Sequence, residues 1–82
     1  MKIEQGKATT RPYFTVSVHK DELVVASGKT LPYPAWIGTI GGDGKITVWH
    51  PVGYRPRGYK VAAWAMLEKA RQQLIDEGKV RA

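Results

Sequence analysis

Eighty-two residues with no cysteine and a formal charge of +6 make one small domain, and they exclude disulfide staples and thiolate metal sites. No apolar run approaches the roughly 20 residues of a membrane-spanning helix, and the opening residues 1–7 lack the apolar core of a signal peptide. The chain reads as a soluble cytoplasmic protein with no membrane partner, and its basic balance points to nucleic acid or an acidic protein surface.

A chain this short buries a limited share of its surface, so one sheet covered by one helix is the largest core it can build. The charge is unevenly placed. Residues 1–11 carry Lys2, Lys7 and Arg11 against Glu4, and residues 43–60 carry Lys45, Arg55, Arg57 and Lys60 against Asp43. Beyond residue 60 the charges nearly balance.

Residues 1–11 are polar and without periodicity, which predicts a flexible basic arm ahead of a ββββα domain over residues 12–82. Tyr13–Val18 alternates, with Phe14, Val16 and Val18 on one side and Tyr13, Thr15 and Ser17 on the other. That is the pattern of a half-buried strand. After the polar turn His19–Glu22, the segment Leu23–Ala26 reads as the returning strand, or as irregular chain if the sheet has three strands. Pro32 and Pro34 then mark a loop.

A second hairpin is predicted from Trp36–Ile40 and Lys45–Trp49 around Gly41-Gly42-Asp43-Gly44. A two-residue or a four-residue loop places Ile37, Thr39, Ile46 and Val48 on one side. Trp36, Gly38, Ile40, Lys45, Thr47 and Trp49 then share the other. A three-residue loop with a bulge breaks this partition.

The helix is predicted to start between Arg57 and Lys60, without a side-chain cap, and to end at Gly78 as a C′ glycine. At 100° per residue its stripe is Tyr59, Ala63, Met66, Leu67, Ala70 and Leu74. The fold class is therefore α+β: a small antiparallel sheet of three to four strands, in two hairpins, covered on one face by a single C-terminal helix. The expected core is Phe14, Val16, Val18, Leu23, Val25, Ile37, Ile46, Val48, Ala63, Leu67, Ala70 and Leu74.

No reaction is legible. Gly41-Gly42-Asp43-Gly44-Lys45 lacks Walker A spacing, has Ile46 where a magnesium-binding hydroxyl belongs, and leads into a strand. His19 and His50 stand apart from each other and from any metal-ligand spacing. Ser17 and Ser27 lie in no nucleophile elbow. The expectation is a non-enzyme without metal or cofactor.

The residues that suggest binding are of two kinds. Arg55, Arg57 and Lys60, with Lys45 and Arg11 elsewhere, are candidates for nucleic-acid or anion contacts, because a loop delivers them to a helix N-terminus where unpaired N–H groups also favour an anion. Trp36, Trp49, Tyr54 and Tyr59 are candidates for aromatic contact with bases or a partner's pocket. For each group the alternative is structural: a solvated loop with tyrosines packed beneath the helix, and indoles buried against the alanine stripe.

Over Trp36–Leu74, the order of strand, Gly42-Asp43-Gly44-Lys45 turn, strand, Gly53-Tyr54 loop and Ala62-Ala63-Trp64 helix resembles a group of DNA-binding domains. These are the three-stranded-sheet-plus-helix domains of phage integrase N-termini and of a family of plant DNA-binding proteins. The resemblance implies a sheet inserted into the major groove, whereas only Lys45 is a cation on the face expected to point outward.

The leading functional expectation is a non-enzymatic nucleic-acid-binding module contacting phosphates through the loop before the helix. The rival is a protein-interaction module, such as a small phage or mobile-element protein that inhibits or recruits a host protein. Its edge strands would pair with a partner or form a homodimer.

Overall fold

The structure, a computed structural model, describes residues 1–6, 11–31, 33–50 and 56–81. Four strands, β1 (Lys2–Gln5), β2 (Tyr13–Val18), β3 (Ala35–Gly41) and β4 (Ile46–Val48), precede one helix, α1 (Tyr59–Asp76). The strands lie in sequence order in one antiparallel sheet, and the helix packs on one face, closest to β3 and β4. The α+β class predicted from the sequence is the observed one.

Two segments exchange roles relative to the sequence reading. Lys2–Gln5, expected to belong to a flexible arm, is β1, with Ile3 opposite Val16 and Glu4 opposite Thr15. Ile3 packs against the core while Lys2 and Glu4 face solvent. A strand with a single inward apolar residue leaves almost no period-two signal, which is why composition alone suggested an arm. Residues 7–10 of that expected arm lie outside the described residues.

Leu23–Ala26, in turn, is not a strand. Its one ladder contact is the isolated bridge between Val24 and Thr30. The Val25 amide donates to the Lys29 carbonyl at 3.0 Å, and the Gly28 amide to the Val25 carbonyl at 2.8 Å, closing a tight loop. Leu23, Val25 and Leu31 still point inward and are buried, so the alternation reported burial correctly and hydrogen bonding incorrectly. The connection from β2 to β3 is thus an apolar cap on the end of the core, whereas β3–β4 is joined by a tight hairpin loop.

That hairpin corrects the predicted faces. Gly41 lies opposite Lys45, its amide donating to the Lys45 carbonyl at 2.8 Å, while the Gly44 amide donates to the Gly41 carbonyl at 2.9 Å. The loop is therefore Gly42-Asp43-Gly44, three residues with Gly44 at φ 89°, the left-handed position such loops need. Ile40 consequently pairs with Ile46, Thr39 with Thr47 and Gly38 with Val48. Ile40 and Gly38 share the covered face with Ile46, and Thr39 joins Thr47 outside.

A second irregularity follows. Val16 pairs with Gly38 but Ser17 with Trp36, leaving Ile37 as the extra residue of a bulge. Ile37 and Gly38 are consecutive buried residues, and Trp36 is returned to the outer face.

Gly38 lies where the helix and the neighbouring strand come closest. A methyl placed there would stand 2.3 Å from the Thr47 carbonyl oxygen and 2.6 Å from a Leu67 methyl carbon. The glycine is the floor on which the helix rests.

Above it, α1 buries Tyr59, Ala63, Leu67, Ala70 and Leu74, the predicted stripe except that Met66 is only partly covered. Small residues at 63 and 70 bring the helix close, and Leu67 fills the space between. Ile40, Leu31, Tyr59 and Val80 add to the expected core, while Val48 is half-buried. The helix ends as predicted: the Lys79 amide donates to the Leu74 carbonyl at 2.9 Å and the Gly78 amide to the Ile75 carbonyl at 3.0 Å. This pair of bonds is the Schellman arrangement around a C′ glycine.

The chain after the helix returns to the hairpin loop. Arg81 donates its amide to the Gly42 carbonyl at 3.2 Å, and Arg71 Nη1 reaches the Gly44 carbonyl at 3.4 Å. At the opposite end the Tyr59 hydroxyl donates to the Trp49 carbonyl at 2.7 Å. The helix therefore runs antiparallel to β4, with its start beside Trp49 and its end beside the β3–β4 loop.

Candidate nucleic-acid interface

The sheet face opposite the helix is built by the outward residues of all four strands. Glu4, Thr15, Thr39 and Thr47 form one cross-strand row. Lys2, Ser17 and Trp36 form the next, and Trp49 extends it, since its amide donates to the Ile37 carbonyl at 2.8 Å beside Trp36.

Trp36 is 60 % exposed and Trp49 37 % exposed. Their rings meet edge to face, with centroids 6.5 Å apart and planes at 78°, a preferred aromatic geometry. Each indole steadies the other without covering it. The open-face alternative weighed for these residues is the observed one, although the strand geometry that produces it is not the predicted geometry. An exposed pair of large aromatics is informative because isolated exposed apolar residues are ordinary, whereas clustered ones usually mark a contact surface.

Tyr59 is different. It is 3 % exposed, donates to Trp49, and meets the His50 ring edge to face at 6.2 Å. Expected to offer aromatic contact, it instead ties the first turn of the helix to the end of β4. Tyr54 and Arg55 lie outside the described residues.

The remaining cations divide between the two ends of β4. Arg57 and Lys60 are exposed at the helix start, which has no side-chain cap and no acidic residue in its first turn. Lys45 and Arg11 are exposed at the loop end. None of these four forms an ion pair with a described residue, whereas Lys2 is 3.5 Å from Glu4, the N-terminal ammonium meets Glu22 and Lys79 is 3.2 Å from Glu77. Of the acids, Asp43 accepts the Lys45 backbone amide at 3.1 Å and Asp76 accepts from Gln72 at 2.9 Å.

Sequence reasoning missed the contribution of the helix flank. Lys60, Trp64 and Arg71 are spaced by four and seven residues, so they share one side of α1. Arg71's bond to Gly44 shows that this side borders β4. Trp64 is 43 % exposed there. The spacing was visible in the sequence, but the flank that meets the free edge of the sheet is defined only by the fold. Arg11 and Arg81 gather with Tyr13 and Asp43 around an open cleft at the glycine loop, again a grouping made by tertiary structure.

Among the described residues no three histidine, cysteine or acidic side chains gather as a metal site, and no helix is long and apolar enough to cross a membrane. No family model, curated protein or solved structure matches the chain.

Proposed function

We propose that the protein is a small non-enzymatic nucleic-acid-binding module, with Trp36 and Trp49 near the bases and Arg57, Lys60 and Lys45 near phosphates. One observation carries this reading: an exposed, mutually packed tryptophan pair stands at the same end of the sheet as helix-start cations without acidic partners among the described residues. Aromatic faces stack on bases of any identity, and uncompensated cations attract the backbone.

The test is binding of labelled DNA and RNA at low and moderate salt. Binding that weakens steeply with salt supports the reading, and no binding of either at low salt removes it.

One observation favours a protein partner as the second reading. Lys2, the cation in the cross-strand row of Trp36, is held by Glu4 at 3.5 Å, so the sheet surface beside the indoles is nearly neutral. Trp anchors on a neutral rim are frequent hot spots of protein interfaces. A stoichiometric protein partner that persists through nuclease and high salt, and is lost on Trp36→Ala, would favour this reading over the first.

A further inference from the structure

Resting on the nucleic-acid reading, we infer that the ligand is a single strand rather than a duplex, held with its bases on the Trp36–Trp49 platform and its backbone along the β4 edge.

The argument against a duplex comes from the open face. A sheet that reads the major groove does so with long donor and acceptor side chains reaching base edges. Here the centre of the face is Thr15, Thr39 and Thr47 in one row, side chains too short to reach base edges within a groove. Of the two adjoining rows, one carries Lys2, which is paired with Glu4, and the other carries Lys45 opposite Gly41. The major-groove insertion implied by the architectural resemblance would therefore have to read base edges with Lys45 as the one long cation of the face without an acidic partner among the described residues. What the face does present is two exposed indoles, and an indole can stack only on a base that is not already stacked between neighbours in a duplex.

The path of the backbone follows from the cations. Lys45 lies at the loop end of β4, and Lys60 lies at its Trp49 end on the helix flank that borders the strand. From Lys45 to Trp49 the strand covers about 13 Å, and from Lys60 to Arg71 the antiparallel helix covers about 16 Å. The two form matched sides of one edge. Arg71 is already engaged with the Gly44 carbonyl, so among the described residues along this edge Lys45, Arg57 and Lys60 are the cations placed to meet phosphate. A strand lying along this edge brings its bases over Trp49 first and Trp36 next, one strand further in.

The decisive experiment compares a labelled mixed-sequence single strand with its blunt duplex of equal length, by anisotropy, against the whole protein. Single-strand binding is expected to be at least about tenfold tighter, with a slope of log affinity on log salt near −2 for about three phosphates. In a Trp64→Phe background, the tryptophan fluorescence should be quenched by the single strand. Trp36→Ala should weaken single-strand binding by at least about fivefold and leave duplex binding unchanged.

If Trp36→Ala does not fold, Lys45→Gln with Lys60→Gln replaces it, and the single-strand salt slope should become shallower by about 1.4. Duplex binding equal to or tighter than single-strand binding overturns the inference while leaving a nucleic-acid-binding protein. Failure of both to bind at low salt overturns the underlying reading as well.

Discussion

The two faces of this sheet are made by the same four strands and differ in almost every physical respect. The covered face presents Phe14, Val16, Ile40 and Ile46 to a helix brought close by Ala63 and Ala70, with Leu67 seated on Gly38. The open face presents hydroxyls, one ion pair, Lys45, Tyr13 and two tryptophans. Apolar bulk is thus placed where a helix buries it, and also at Trp36 and Trp49, where part of each ring is left exposed. The first placement holds the fold together by removing apolar area from water. The second does little for the monomer, which is why it reads as a surface for something else.

If this contrast is right, changes on the covered face should unfold the protein and changes on the open face should not. The largest expected effect is Leu67→Ala, about 2–5 kcal/mol by thermal or urea unfolding, a large part of a small domain's stability. Gly38→Ala should follow at about 1–3 kcal/mol, because the added methyl meets the Thr47 backbone oxygen and the Leu67 side chain, and a backbone oxygen cannot turn aside as a side chain can. Near-wild-type melting of both variants would show that the helix does not rest where the structure places it.

On the open face, Trp36→Ala should cost about 1 kcal/mol or less, the part of an edge-to-face contact that an exposed ring supplies. It should nevertheless weaken binding. Unfolding by Trp36→Ala would erase the distinction between the faces.

The sequence made the covered face more legible than the open one, for reasons found at particular residues. Phe14, Val16 and Val18 alternate along a regular strand, and Ala63, Leu67, Ala70 and Leu74 recur at helical spacing, so both elements and their buried sides were readable. In β3 the period failed twice. The three-residue loop at Gly42–Gly44 exchanged the faces of β3 relative to β4, and the bulge at Ile37 exchanged them back before Trp36. The outward direction of Trp36 is therefore the sum of two reversals, which no alternation rule reports.

β1 was hidden because one isoleucine is too little pattern. Leu23–Ala26 misled because an apolar loop that plugs a core alternates as a strand does. Of the site, Arg57, Lys60 and the tryptophans were legible as residue types. Their relation to Arg71 and Trp64 across the β4 edge was not, since it depends on which helix flank meets the sheet edge.

Smaller effects sharpen the comparison further. Arg57→Gln with Lys60→Gln should change stability by about 0.5 kcal/mol or less, since both are exposed and unpaired among the described residues. For a single strand, the same pair should flatten the salt dependence of binding by about 1.4 in slope. A pair that lowers melting strongly would mean these cations belong to the structure instead of the surface.

The smallest effect concerns acid. The N-terminal ammonium, and after it the His19 backbone amide, hold Glu22 below its ordinary value of 4.5. A carboxylate whose folded value is depressed contributes stability that is present above the unfolded value and is lost as pH falls through the folded one. Glu22→Gln should thus remove a modest part of the acid sensitivity below about pH 4.5 and leave neutral-pH binding unchanged, as read by melting across a pH series.

The most direct test of the central claim is residue-level mapping of a short single strand by amide and indole NMR shifts at low salt. The account predicts saturable shifts of the Trp36 and Trp49 indole N–H signals, with the Thr39, Thr47, Lys45 and Lys60 amides. The buried helix stripe around Leu67 and the β1 edge should stay in place. Shifts confined to the helix's outer residues or to the β1 edge, with both indoles unmoved at saturation, would contradict it.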